Sequence, residues 1–244
     1  GSEMALSSKG DRCYLFSATP EGDLTGYSHG VRFEGSDENV SFGRSRTSEG
    51  VDYFQPEFSE SFGLKNFGSS FIPLLISEVM YHPDVEGFQY IELHNQSKDP
   101  LSLWLSDTPA RTWGLSGGTV GQKVPQFLFP EGTTVLPDAY LICVPESAGS
   151  VVLPDHAQVF RIPDDLISTK QGVLRIHRPL ASKGEKIRYV TVDEAIYQNR
   201  LPWDVGAGGG GQGLERINTS AFGVDPLNWR AGPVGGTPGR SLGD

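Results

Sequence analysis

Two glutamates, Glu78 in "LLISEVMYHP" and Glu92 in "YIELHN", come closest in type and placement to a catalytic pair. If their segments are neighbouring antiparallel strands, the carboxyls lie side by side. They would then imitate the acids of a glycosidase, one protonating the leaving oxygen and one serving as base or nucleophile. No third group in the sequence supports that chemistry. The simpler reading is of solvent-facing or cross-strand hydrogen-bonded carboxylates, each strand showing one face to water. The histidines His29, His82, His94, His156 and His177 fall in no HxH, HExxH or Cys-x-x-Cys setting, which argues against zinc. No Gly-x-Ser-x-Gly elbow is present. "GAGGGGQG" has the letters of a phosphate loop, but no strand feeds it and no Gly-Lys-Ser/Thr or helix follows. It reads as a flexible loop, and the chain reads as a non-enzyme.

Binding chemistry has more to work with. Asp84 and Glu86 share the turn "HPDVEG", and Asp204 opens the Gly-rich loop. Calcium takes such oxygen ligands, although the Asp-x-Asp-x-Asp-Gly spacing is missing and solvated acidic turns explain the same residues. Trp104 in "LSLWLSD" sits in an apolar patch at a strand end, while Tyr81, Tyr197 and Phe222 flank predicted loops. Exposed aromatics stack on sugar rings or anchor a protein partner. Ordinary half-buried strand positions are the plainer account of each.

The elements that must position these residues are strands. With 31 Gly and 17 Pro among 244 residues, the composition suits many short strands joined by turns. Apolar residues alternate in "CYLFSA", "LTGYSHGVRF", "NVSFGR" and "DYFQPEF", then in "PLLISEVMYHP" and "EGFQYIELHNQS". "FLFPEGTTVLPDAYLICVPES" reads as two strands about a Gly-rich corner. "QGVLRIHRPL" and "IRYVTVDEAIYQN" read as a hairpin around "ASKGEK". No helical period persists over a dozen positions, so at most a short helical turn is expected near "NTSAFGVDPLN".

A formal net charge of −10 with scattered Lys and Arg argues against a grip on nucleic acid or on an anionic membrane surface. No apolar run approaches the length of a spanning helix. Cys13 in "RCYLF" and Cys143 in "YLICVP" read as two buried free thiols, with one disulfide as the alternative. The opening "GSEMALSS" reads as a cloning scar within an unstructured start over residues 1–10.

An internal echo runs through the chain: "YLF…GYSHGVRF…NVSFGR…DYFQ" parallels "LRIHR…VDEAIYQN…QGLER…LNWR". It makes residues 11–67 a copy of the latter half of the module that follows. So short a half-sandwich buries too little area to stand alone, and is expected to pack on that module or to complete something upstream of it.

Six ordered motifs then carry a resemblance. "LLISEVMYHPDVEGFQYIELHNQSKDPLSL", "TWGLSGG", "FLFPEGTTVLPDAYLICV", "VDEAIYQNRLPW", "GLERI" and "DPLNWRAGPVGGTPGR" resemble the lamin tail domain as found in large secreted bacterial proteins. The likeness spans about residues 74–240, with 68–73 as a linker. The insertion "SGGTVGQKVPQ" and the Gly run at 208–211 depart from the family and widen loops. The resemblance implies an immunoglobulin-like β-sandwich with an additional N-terminal β segment packed against or adjacent to it. It implies that Trp229 plugs the sandwich, that Trp113 and Trp203 are structural, and that "GGTPG" is the exit from the final strand. It further implies a monomeric, non-catalytic module at the cell surface or outside the cell, belonging to a larger protein and contacting a protein or polysaccharide partner. The alternatives are a carbohydrate-binding module appended to a glycan-degrading enzyme and a structural spacer.

Overall fold

The computed structural model describes residues 5–8, 10–37, 39–57, 59–66, 71–84, 86–180 and 187–240. The protein is all-β. Contacts divide it into two units, residues 1–46 with 52–70, and residues 47–51 with 71–244.

The first unit holds two hairpins. β1 (Gly10–Ala18) pairs antiparallel with β2 (Leu24–Glu34), and β3 (Phe42–Arg46) with β4 (Asp52–Pro56). A lone two-stranded hairpin is marginal in water. Here the aromatic contact of Phe33 with Phe42 and the pairing of His29 with Asp52 tie the two together.

The second unit is a β-sandwich. Its strands are β5 (Leu74–Met80), β6 (Tyr90–Asn95), β7 (Leu101–Ser102), β8 (Trp104–Leu105), β9 (Thr108–Thr112) and β10 (Gly114–Ser116). They continue with β11 (Phe127–Leu128), β12 (Thr134–Val135), β13 (Tyr140–Pro145), β14 (Gln158–Ile162), β15 (Gln171–Pro179), β16 (Tyr189–Gln198), β17 (Gln212–Arg216) and β18 (Trp229–Val234). One sheet runs β14-β13-β6-β5-β17-β18, the other β11-β10-β15-β16, and two short ladders, β12-β7 and β8-β9, flank them.

Alternation decides what points inward. Leu74, Ile76 and Val79 of β5, Ile91 and Leu93 of β6, and Leu141 and Cys143 of β13 face Leu174, Ile176, Ala195 and Tyr197 of β15 and β16. Trp113, Trp203 and Trp229 are buried in that core, and the Trp229 indole N–H donates to the Gly223 carbonyl at 2.9 Å.

The β16 register puts Asp193 inward in phase with Ala195 and Tyr197, a position that demands a partner. Arg216 of β17 supplies it: Nη1 donates to Asp193 Oδ2 at 2.6 Å and to the Ile76 carbonyl at 3.3 Å, and Nη2 to the Ala221 carbonyl at 2.7 Å. The Ile76 N–H donates to the same Asp193 oxygen. The pair therefore staples one sheet to the other.

Several sequence expectations change. The corner segment forms three strands, β11, β12 and β13, and is followed by β14, which lies parallel to β13. The short helical turn expected near "NTSAFGVDPLN" is unchanged, three residues of 3-10 helix at Pro226–Asn228. The hairpin tip expected at 181–186 lies outside the described residues. Both cysteines are free; Cys143 is buried, whereas Cys13 is only half-buried, on a two-stranded hairpin that no core encloses. Among the described residues no helix is long and apolar enough to cross a membrane.

Candidate functional site

Of the four aromatics expected at the surface, Tyr81 and Tyr197 lie in the core. Their rings pack 4.6 Å apart, and the Tyr197 hydroxyl donates to the Ser168 carbonyl at 2.9 Å. Their hydrophobic bodies belong with the inward faces at the ends of β5 and β16, so neither can receive a ligand. Trp104 and Phe222 are half-buried. The Trp104 indole N–H is buried with no hydrogen-bond partner among the described residues.

The expected calcium ligands do not assemble. Asp204 caps the 3-10 turn Val205–Ala207, accepting from the Gly206 N–H at 3.0 Å on one oxygen and from the Ala231 N–H at 2.8 Å on the other. Asp84 accepts from the Glu86 N–H at 3.2 Å, and both side chains are exposed. Among the described residues no group of three or more His, Cys, Asp or Glu is placed to hold a metal ion. The Gly-rich stretch is anchored by this cap, with Ala207 fully buried. Asp204→Ala should accordingly cost about 1–2 kcal/mol of stability, the scale of a lost cap. Its melting temperature should be the same in calcium and in chelator; a calcium shift in the parent that vanishes in the variant would restore the metal reading.

Glu78 and Glu92 do lie opposite one another on β5 and β6, and Glu215 of β17 stands opposite Glu78. Three like side chains thus line up across three strands, an arrangement that repels if all are charged. They are not solvent-facing: Glu78 is 1% and Glu92 2% exposed. Met80, Tyr90, Ile142 and Val144 cover one side of this outer face, and the "GGTPG" segment closes over the acids.

The segment's donors explain its sequence. The Thr237 N–H donates to Glu78 at 3.1 Å, and the Gly239 N–H donates to Glu92 at 2.6 Å. Ser77 Oγ donates to the other Glu92 oxygen at 2.6 Å. Gly236 has φ +70° and passes so close that a Cβ there would sit 1.9 Å from the Tyr90 hydroxyl, which only glycine avoids. The Thr237 hydroxyl lies 3.2 Å from both Glu78 and Glu215. It has a single proton, so satisfying both contacts requires a proton on one of the acids. Burial pushes Glu78 up to about 7 and Glu92 up to about 8, against the hydrogen bonds that each accepts. These are buried acids held under the strap.

Ser116 and His177 form a second buried pair, with Oγ 2.7 Å from Nε2. Ser116 Oγ donates to the Gln122 carbonyl at 2.8 Å. Its one proton being so committed, Oγ accepts from an Nε2–H, the reverse of what a nucleophile needs from its base.

An open surface with recognition chemistry lies on the β1–β2 hairpin, on residues that none of the candidate site motifs in the sequence singled out. Register places Arg12 opposite Arg32, Tyr14 opposite Gly30 and Phe16 opposite Ser28, all on one face and all exposed. Tyr14 is 57% and Phe16 54% exposed, and the rings sit 6.3 Å apart at 29°. A Cβ on Gly30 would be 2.1 Å from the Tyr14 ring, so the glycine lets that ring lie over the backbone. The other face carries the half-buried Cys13, His29, Val31 and Phe33. The signal was present in "RCYLFS": Tyr and Phe two apart point the same way, and Gly and Ser across from them leave that face uncovered.

No family model matches the chain, and no curated protein matches it.

Proposed function

We propose that this chain is a non-catalytic, extracellular or cell-surface binding module of a larger protein, a lamin-tail-like sandwich contacting a protein or glycan partner. The observation that carries the reading is the pair of stacked, more than half exposed aromatics, Tyr14 and Phe16, on the open face of β1–β2. Aromatic rings held this way offer apolar area at low entropic cost and are typical anchors of recognition surfaces. The buried state of Glu78 and Glu92 supports the non-catalytic part, since a glycosidase acid must reach the scissile oxygen.

The flatness of the aromatic pair favours the carbohydrate-binding version over the spacer version. A glycan array of the intact chain beside a Tyr14→Ala/Phe16→Ala variant tests it. Retention of one glycan class by the parent and its loss in the variant is expected. A glycan retained equally by both would move the site elsewhere, and a blank array would favour a protein partner or a spacer.

A further inference from the structure

Arg12 and Arg32 face each other directly across the β1–β2 ladder, on the same open face as Tyr14 and Phe16. Like charges in that position repel. Neither guanidinium has an ion-pair partner among the described residues, although acids outnumber bases in the chain, 30 to 20. Glu34, opposite Gly10 at the end of this face, is its one acidic side chain among those paired in the ladder. The two arginines also line a shallow concavity with Gly10, Asp11, Phe33 and Glu34. Two arginines without an ion-pair partner among the described residues, beside a stacking platform on an otherwise acidic protein, are chemically matched to an anion that also has flat apolar faces.

We propose that this face binds an acidic polysaccharide built of uronic acid rings, a proposal that rests on the binding-module reading and specifies its ligand. The C–H faces of successive rings lie on Tyr14 and Phe16, and the planar carboxylates meet the forks of Arg12 and Arg32. Guanidinium and carboxylate match as bidentate planes, which distinguishes arginine from lysine for this purpose. An extended nucleic acid is the weaker fit. It presents a charge at every step, and the acidic balance of the chain opposes the long phosphate tracks that such binding uses.

The test is affinity electrophoresis and calorimetry of the full chain against polygalacturonate, with its fully methyl-esterified form, dextran sulfate, poly-glutamate and single-stranded DNA as comparators. Polygalacturonate should bind most tightly, and binding should weaken with added salt. Arg12→Gln/Arg32→Gln should lose about tenfold or more in affinity. Tyr14→Ala should lose a similar factor, by analogy with aromatic stacking platforms. Arg12→Lys/Arg32→Lys, which keeps the charge and the β-hairpin surface, should recover only part of the loss. Equal binding of poly-glutamate or DNA, or of dextran sulfate above polygalacturonate, would overturn the uronic acid assignment. Tyr14-dependent binding of the esterified polymer at undiminished strength would overturn it too, yet leave the binding-module reading standing. Absence of any Tyr14-dependent binding would sink both. Far-ultraviolet circular dichroism and unchanged melting of the sandwich unit separate lost binding from lost folding in each variant.

Discussion

Asp193→Ala is expected to destabilise the sandwich by about 3–5 kcal/mol, because it leaves the Arg216 guanidinium buried without its counter-charge. Side-chain exposures of 1% for Arg216 and 3% for Asp193 leave water no access to compensate. The substitution also removes the acceptor of the Ile76 N–H in β5, and leaves Arg216 Nη1 with only its 3.3 Å contact to the Ile76 carbonyl. At this chain length each kcal/mol corresponds to roughly 2–4 °C of melting temperature, so a fall of about 10 °C is readable by calorimetry. Arg216→Met/Asp193→Leu, which replaces the charges with similar apolar volume, should recover most of the loss. Denaturant titration of the parent, both single variants and the double variant gives the cycle. A cost below about 1 kcal/mol for Asp193→Ala would show that the pair is solvated after all.

Stability is also expected to decline as pH rises from about 5 to about 9. Glu78 and Glu92 have folded-state values raised to about 7 and about 8, first of all by burial, from an ordinary 4.5. Between those limits the folded chain holds protons that the unfolded chain has released, so raising the pH favours unfolding. The contribution is fully present below about 4.5 and is lost as pH passes through 7 to 8. Shifts of this size correspond to a loss on the order of several kcal/mol for the two acids together. The strap that covers them should loosen over the same window, because carboxylates that both ionise repel beneath Thr237 and Gly239. Glu92→Gln keeps an acceptor for the Gly239 N–H and cannot ionise. It should melt near the parent at pH 5 and above it at pH 8.5, with a shallower pH slope. A parent melting temperature that is flat or rising over pH 5–8.5 would contradict the raised values of Glu78 and Glu92.

Much of the strand pattern was legible because alternation is a local property. "YIELHN" and "VDEAIYQN" show their inward residues without any knowledge of partners, and the core positions of Trp113, Trp203 and Trp229 agree with their expected structural role. The side-by-side placement of Glu78 and Glu92 was legible for the same reason, as a consequence of two adjacent antiparallel strands. Their burial was not. It depends on a segment 147 residues further along folding back, as the Gly239–Glu92 hydrogen bond records. Tyr81 and Tyr197 illustrate the same limit: each stands at a strand end, where position alone does not say whether the ring turns toward loop or core.

The sequence by itself determined an all-β chain, the phase of its principal strands, and an acidic surface with no familiar catalytic spacing. Period-two patterning and composition act residue by residue, and need no long-range information. Only the tertiary structure decided that the third glutamate, Glu215, joins the other two, that Arg216 finds Asp193 across the sandwich, and that "GGTPG" is a lid of backbone donors over buried acids. It also decided which aromatics remain open, because exposure is set by what packs on a face and not by the residues that compose it. Tyr14 and Phe16 stay in water since nothing described covers that side of β1–β2, while two better-placed candidates in the sequence were taken by the core.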